Sequence, residues 1–131
     1  MIFSKNVDID CSKARASQKQ ENLKNIMKRE DRKIFEKFAS RVRATFPDAQ
    51  LWAFGSRARG NAEWDSDFDV CIVLEKVDER VDQMIRNIAW KVGFEKERVI
   101  TTVVIERKEF EIGPMSESTL VANIRREGIP A

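Results

Sequence analysis

The chain has 131 residues, of which 35% are charged and 42% hydrophobic, and its net charge is +2. That size and composition suit one globular domain and exclude a disordered chain, and no apolar run approaches the ~18 residues of a membrane span. Histidine and tyrosine are absent, which removes His-based triads, His general bases and most zinc sites, and leaves carboxylates, Ser/Thr/Cys, Lys/Arg and bound metal to carry any chemistry.

Residues 1 to 17 are polar and lack periodicity, so a loose arm is expected there, followed by a single domain over 18–131. The opening stretch has no apolar core of a secretory signal. With Cys11 and Cys71 the only cysteines, a disulfide framework is not expected, and a reducing, cytoplasmic setting is. From Gln18 to Phe46 the pattern is helical, with Leu23, Met27, Ile34, Phe38 and Val42 on one stripe. The charged run "KREDRK" leaves a gap at which Asp31 could cap a second helix, and Pro47 closes the segment. "LWAF" (51–54), ending at Gly55, is a predicted buried strand, and the β-branched "FDVCIVL" (68–74) a second. Asp78 then reads as an N-cap, with Val81, Met84, Ile85, Ile88, Ala89 and Val92 at helical spacing and Gly93 as the stop. "VITTVVI" (99–105) is the strongest predicted strand, and a last helix is expected from a Ser116 cap to Gly128. The long middle helix gives room for a crossover between strands two and three. The order implies an α/β (α+β) domain, a small mixed β-sheet flanked by helices.

Two carboxylates, Asp67 and Asp69, straddle Phe68 at the start of the second strand. Alternation puts them on one face, with Cα atoms roughly 6.6 Å apart. Acids that near repel unless one takes a proton or both share a cation, and hard oxygen ligands favour Mg²⁺ completed by water and phosphates. Upstream, Gly55-Ser56 ends a strand and turns at once, which exposes successive backbone N–H groups that can cradle phosphate. Arg57 and Arg59 follow, then Gly60. Either arginine could add a charge-assisted bond to phosphate. Alone they would read as a solvated face, and Arg59 could equally pair with Asp65 or Glu63. Each piece is weak by itself. The combination, Gly-Ser, ten residues, then Asp-x-Asp between two apolar strands, is specific.

That combination resembles the signature of the DNA polymerase beta-like nucleotidyltransferase superfamily. The wording "GSRARG" and "DSDFDVCIVL" is similar to its small bacterial and archaeal members, the minimal nucleotidyltransferases. The resemblance covers roughly 34–128 in organisation, and its specific motif lies within 55–69. It implies the nucleotidyltransferase fold and transfer of a nucleoside monophosphate from a nucleoside triphosphate, ATP being the expected donor, with release of pyrophosphate. It implies that Gly55 and Ser56 hold the triphosphate, that Asp67 and Asp69 bind two Mg²⁺ ions, and that Arg59 contacts phosphate.

The same resemblance implies a third carboxylate on a later strand, which helps activate the attacking hydroxyl. Here "VITTVVIE" offers Thr101 and Thr102 instead. If Thr102 faces the site, Glu106 shares that face about 13 Å further along, and Glu75 also lies beyond the site. An impaired nucleotide-binding or partner-neutralising module of the same fold is therefore the alternative. The chain is also short for an acceptor domain. Either a second copy of the chain completes the pocket or a partner protein is the acceptor, and for the latter the resemblance implies a HEPN-type toxin, with the chain as its antitoxin. Nucleic acid is not supported by the net charge. Trp64 could stand free as a contact or stack on a base, but the simpler expectation is that it folds back onto the domain. Trp52 and Trp90 are expected in the core and in helix packing.

Overall fold

A computed structural model of the chain describes residues 27–131. The expected arm and the start of the first helix lie outside the described residues. Helix α1 (Arg29–Thr45) is followed by strand β1 (Gln50–Phe54), the short helix α2 (Gly55–Arg59) and strand β2 (Phe68–Leu74). Helix α3 (Glu79–Lys96), strand β3 (Ile100–Glu106) and helix α4 (Arg107–Glu111) come next, then a 3₁₀ turn at Pro114–Glu117, helix α5 (Thr119–Glu127) and the two-residue strand β4 (Ile129–Pro130).

The sheet order is β3-β2-β1-β4. β1 lies antiparallel to both β2 and β4, whereas β2 and β3 are parallel. A parallel pair needs a crossover, and α3 supplies it, as expected. Alternation along β2 then builds two cores. Phe68, Val70, Ile72 and Leu74 meet Leu51 and Ala53 of β1 and pack under α1 and α3, with Ile34, Phe35, Phe38, Val42, Ile85 and Val92. The opposite face carries Cys71 and Val73 with Ile105, Phe110, Val121 and Ile124, covered by α4 and α5. Trp52 belongs to this second core and stacks on Phe110 with ring centroids 5.1 Å apart. Burying side chains of this size stabilises by about 1.5–3 kcal/mol each, so the double-sided sheet fixes the register of β2. On the first side, Lys37 and Arg41 of α1 reach Glu95 of α3 at 2.7 and 3.2 Å. The Lys37 hydrogen bond in particular holds the Glu95 carboxyl below its ordinary range.

The three long strands match expectation to within one residue at each end. Several ends and caps differ. Asp78 caps α3, its Oδ1 accepting from the Val81 N–H at 2.8 Å. Gly93 does not stop that helix, which runs to Lys96 and ends at Glu97 in the left-handed region (φ 56°). Gly93 is needed for close approach instead: a Cβ there would run into the Arg98 carbonyl oxygen, whose own N–H bonds back to Gly93 O at 2.9 Å. The last helix is capped by Ser118, whose Oγ accepts from Val121 N–H at 3.1 Å, while Ser116 lies in the 3₁₀ turn and donates to Gly113 O. Gly128 is its C-cap, as expected. Asp31 caps nothing. It sits in the first turn of α1 and is 2% exposed. Trp90 is 67% exposed rather than buried in helix packing, and Trp64 at 83% does not fold back onto the domain.

Candidate active site

The candidate site forms where β1 turns into α2 beside the first residues of β2. Gly55 opens the turn with φ 77°, a conformation that costs an L-residue about 1–2 kcal/mol. A Cβ on Gly55 would also fall 2.5 Å from Asp69 Oδ2. Glycine is thus required twice, by the backbone angle and by the carboxylate against it. Gly60 closes α2 in the same left-handed region, with φ 78°. The leading N–H groups of a helix have no acceptor within it, and here they belong to the stretch around Gly55 and Ser56, both half-buried at the mouth of the turn.

Asp69 pairs across the sheet with Phe54 on one side and Thr101 on the other. It continues the row formed by Val73 and Cys71 beyond the apolar core. It is half-buried, and Asp67, which precedes the strand, is exposed. Burial pushes the Asp69 carboxyl above the usual carboxylate range, the Asp67 charge pushes it the same way, and the Arg59 guanidinium opposes both. Asp67 thus acts electrostatically on Asp69. An aspartate pair with oxygen-only donors, one member of which is unfavourably charged where it sits, fits a hard divalent cation.

The face of β3 turned toward the acids is now fixed. Thr101, not Thr102, shares a side with Asp69, and its Oγ1 donates to Asp67 Oδ2 at 3.4 Å. Thr102 pairs with Val70 and Glu106 with Leu74, on the side of α1 and α3. The Glu106 carboxylate accepts the Val77 N–H at 3.0 Å, and Glu75 is paired with Arg107 at 2.8 Å. Neither reaches the acid pair. On the site face β3 offers Thr101, Val103 and Ile105, and among the described residues no group of three or more acidic, His or Cys side chains is placed to hold a metal ion.

The arginines part company. Arg59 stays near the acids, and its partner is Glu127 of α5 at 3.1 Å, not Asp65 or Glu63. Arg57 turns inward and is 3% exposed, so it cannot contact phosphate in the mouth of the turn. Its Nη1 donates to Asp31 at 3.2 Å, its Nη2 to the carbonyls of Trp64 and Ser66 at 3.0 and 2.9 Å, and its Nε also to Ser66 O. Sequence reasoning missed Asp31 and Glu127 as partners, because each lies far along the chain from its arginine. Thr101 and Thr102 lie on opposite faces of β3, and it is the parallel register pairing Phe68 with Ile100 that brings Thr101 to the acids.

Beside the acids runs an open groove of about 1130 Å³ between the loop at Trp64–Ser66, α3 and β3. Trp90 and Phe94 stack on one wall with centroids 5.3 Å apart, Trp64 stands at the rim, and Thr101 lies where the groove meets the acid pair. The Gly-Ser turn adjoins Asp69 through β1, and Thr101 at the end of the groove adjoins it through β3.

A comparison with curated proteins gives no match. Among solved structures, one described as a toxin-antitoxin with AMP-PNP matches over 72% of this chain and 70% of that one, with a TM-score of 0.49 and 14% sequence identity. Among the described residues, no helix is long and apolar enough to cross a membrane. The sequence model of the nucleotidyltransferase domain matches residues 31–127, a span from the first turn of α1 to the end of α5 that contains the Gly-Ser turn, both acids and the three long strands. The mixed sheet flanked by helices and the Gly-Ser to Asp-x-Asp connection agree with that match, and the chain belongs to the nucleotidyltransferase domain family.

Proposed function

We propose that the protein transfers a nucleoside monophosphate from a nucleoside triphosphate, with ATP the expected donor, to an acceptor on a partner protein. The observation that carries this reading is the contact between the two halves of the motif: Gly55 lacks the one atom that would displace Asp69, so triphosphate held at the turn would lie directly against the acid pair. Asp67 and Asp69 would hold Mg²⁺, which when bound would neutralise phosphate charge and polarise the reacting phosphoryl group. The chain's own residues contribute positioning. Gly55 and Ser56 present backbone N–H groups and a small hydroxyl to phosphate oxygens. Arg59, tied to Glu127 yet close enough to act on Asp69, sets positive charge at the edge of the turn. The groove supports a polypeptide acceptor. Four large apolar side chains, Trp64, Trp90, Phe94 and Val99, are exposed along it, and the acids Asp65, Asp82 and Glu97 outnumber the bases Arg86 and Arg98, which disfavours a polyanion. A HEPN-type toxin is the partner class that the family resemblance suggests, with this chain as its antitoxin.

A second reading is favoured by Thr101. With a hydroxyl where the family pattern has a carboxylate, the chain would bind Mg²⁺-nucleotide and neutralise a partner without transfer. Incubation of the protein with Mg²⁺, each labelled nucleoside triphosphate and a co-expressed partner separates the two. Label on the partner that vanishes in Asp67→Asn and Asp69→Asn establishes transfer. Binding of nucleotide with no label on any acceptor leaves the binding-module reading, and no binding of any Mg²⁺-nucleotide rejects both.

A further inference from the structure

We infer that Arg57, held by Asp31, is a positioning residue for the acid pair: it sets the distance between the phosphate turn and the loop that delivers Asp67. The inference rests on the nucleotide-binding reading above and assigns to that site two residues that touch neither phosphate nor metal.

The argument begins with what Asp67 lacks. β2 starts at Phe68, so Asp67 sits outside the ladder, on a connection that runs from Gly60. That connection has little structure of its own. Ser66 N–H donates to Glu63 O at 3.0 Å, Glu63 N–H donates to Ser66 Oγ at 3.1 Å, and β2 is joined only from Phe68 N–H onward, to Val99 O. Trp64 on the same loop is exposed and anchors nothing through its ring. The anchor is the Arg57 guanidinium, which holds the carbonyls of Trp64 and Ser66 together, the latter through two of its nitrogens. Ser66 is the residue before Asp67. Arg57 lies on α2, one residue past Ser56, so one rigid planar group links the phosphate turn to the metal acid.

Asp31 completes the device. A guanidinium 3% exposed and satisfied only by neutral carbonyls would carry an unbalanced charge. Asp31 supplies the countercharge from α1, with Nη1 at 3.2 Å from Oδ1 and 3.4 Å from Oδ2. The planar fork faces Asp31 on one edge and the loop carbonyls on the other, an arrangement a lysine ammonium cannot reproduce. Thus α1, α2 and the loop are locked by one side chain, and the chain's only two buried charged residues among those described are this pair.

The test uses the full chain and three variants, Arg57→Lys, Asp31→Asn and Arg57→Ala, with Arg41→Lys on the distant Glu95 pair as control. Folding is checked by near-ultraviolet circular dichroism. Two readouts follow: hydrogen exchange of the amides from Glu63 to Asp67, and the Mg²⁺ concentration that half-saturates binding of a non-hydrolysable ATP analogue. Folded Arg57→Lys and Asp31→Asn are expected to exchange faster in this loop alone and to need about 10–100-fold more Mg²⁺, the usual cost of losing an outer-shell support. Arg41→Lys is expected to change neither. A lowered unfolding midpoint with unchanged loop exchange and unchanged Mg²⁺ dependence in the two conservative variants would overturn the inference, since it would leave the pair a purely structural role. Arg57→Ala adds to the result if it folds, and the conservative pair decides if it does not. Should the wild-type chain bind no Mg²⁺-nucleotide, the functional reading fails by itself, and the exchange readout still decides whether Arg57 orders the loop: unchanged exchange overturns the inference, and faster exchange confined to the loop supports it.

Discussion

Gly55 and Asp69 sit so close that a single added methyl on the first would lie 2.5 Å from the carboxylate of the second. The Gly-Ser turn and the strand aspartate, 14 positions apart, are built around the same missing atom. Gly55→Ala is expected to destabilise the protein by about 1–2 kcal/mol from its left-handed angle alone, and in addition to displace Asp69. Gly60→Ala shares the first penalty, with φ 78°, at the far end of α2. Urea unfolding together with calorimetric titration of Mg²⁺-nucleotide distinguishes them. Both variants lose stability, and only Gly55→Ala also loses binding.

Asp69 carries a charge where the fold does not favour one. Its carboxyl is raised by burial first and by Asp67 second, so between the ordinary carboxylate range and the raised value the folded state holds a proton that the unfolded state has lost. The associated stability is present at low pH and is lost as pH rises through the raised value. Asp69→Asn removes that loss. In the absence of divalent cations the variant is expected to unfold at a higher temperature than wild type near neutral pH, with the difference shrinking toward pH 4, while its Mg²⁺-dependent nucleotide binding disappears. Thermal melts across pH 4–8, with chelator and then with Mg²⁺, check both halves. A wild-type protein that melts above Asp69→Asn in chelator at neutral pH would contradict the account.

Thr101 stands beside Asp69 in the parallel ladder and hydrogen-bonds Asp67. An acid at this position would place three carboxylates on one face. Thr101→Asp is expected to lower metal-free stability through like-charge repulsion and to tighten Mg²⁺ binding on the order of tenfold, since affinity follows ligand charge count. If transfer is limited by the missing base, the same variant also transfers faster. Titration calorimetry with Mg²⁺ gives the first effect and single-turnover labelling the second.

How much of this was legible beforehand follows from the range of each interaction. Phe68–Leu74 read correctly because a run of β-branched and apolar residues is fixed by its own neighbours, and the closeness of Gly55 to Asp69 follows from the short connection between β1 and β2. The helix α4 and the two-residue β4 were not legible, since five residues and two residues are too short to show a period. Asp31 looked like a cap because caps are recognised by residue type, whereas its partner is 26 positions away. The choice between Thr101 and Thr102 depended on which face of β3 joins Asp69, and a one-residue shift reverses every side chain. Trp64 and Trp90 were misplaced for a related reason. Aromatic residues are assigned to cores by default, and nothing in their local sequence marks the groove they line.

Cys71 offers a reporter at the base of the site. It lies two residues past Asp69 on the same face, fully buried in the second core with Val73, Ile105 and Ile124. Burial pushes its thiol up to about 12. The reactive species is the thiolate, so in the folded protein modification is limited both by access and by the scarcity of the charged form. Iodoacetamide should therefore modify Cys71 only when the second core opens. In a Cys11→Ser background, its labelling rate at pH 8 is expected to rise with urea in step with unfolding measured by circular dichroism, and to be slowed further by Mg²⁺-nucleotide if that ligand binds the folded state alone. The modified peptide is read by mass spectrometry. Rapid labelling in native buffer would mean that α4 and α5 leave the sheet well before global unfolding, and would place the acid pair on a face that opens independently of the one packed under α1 and α3.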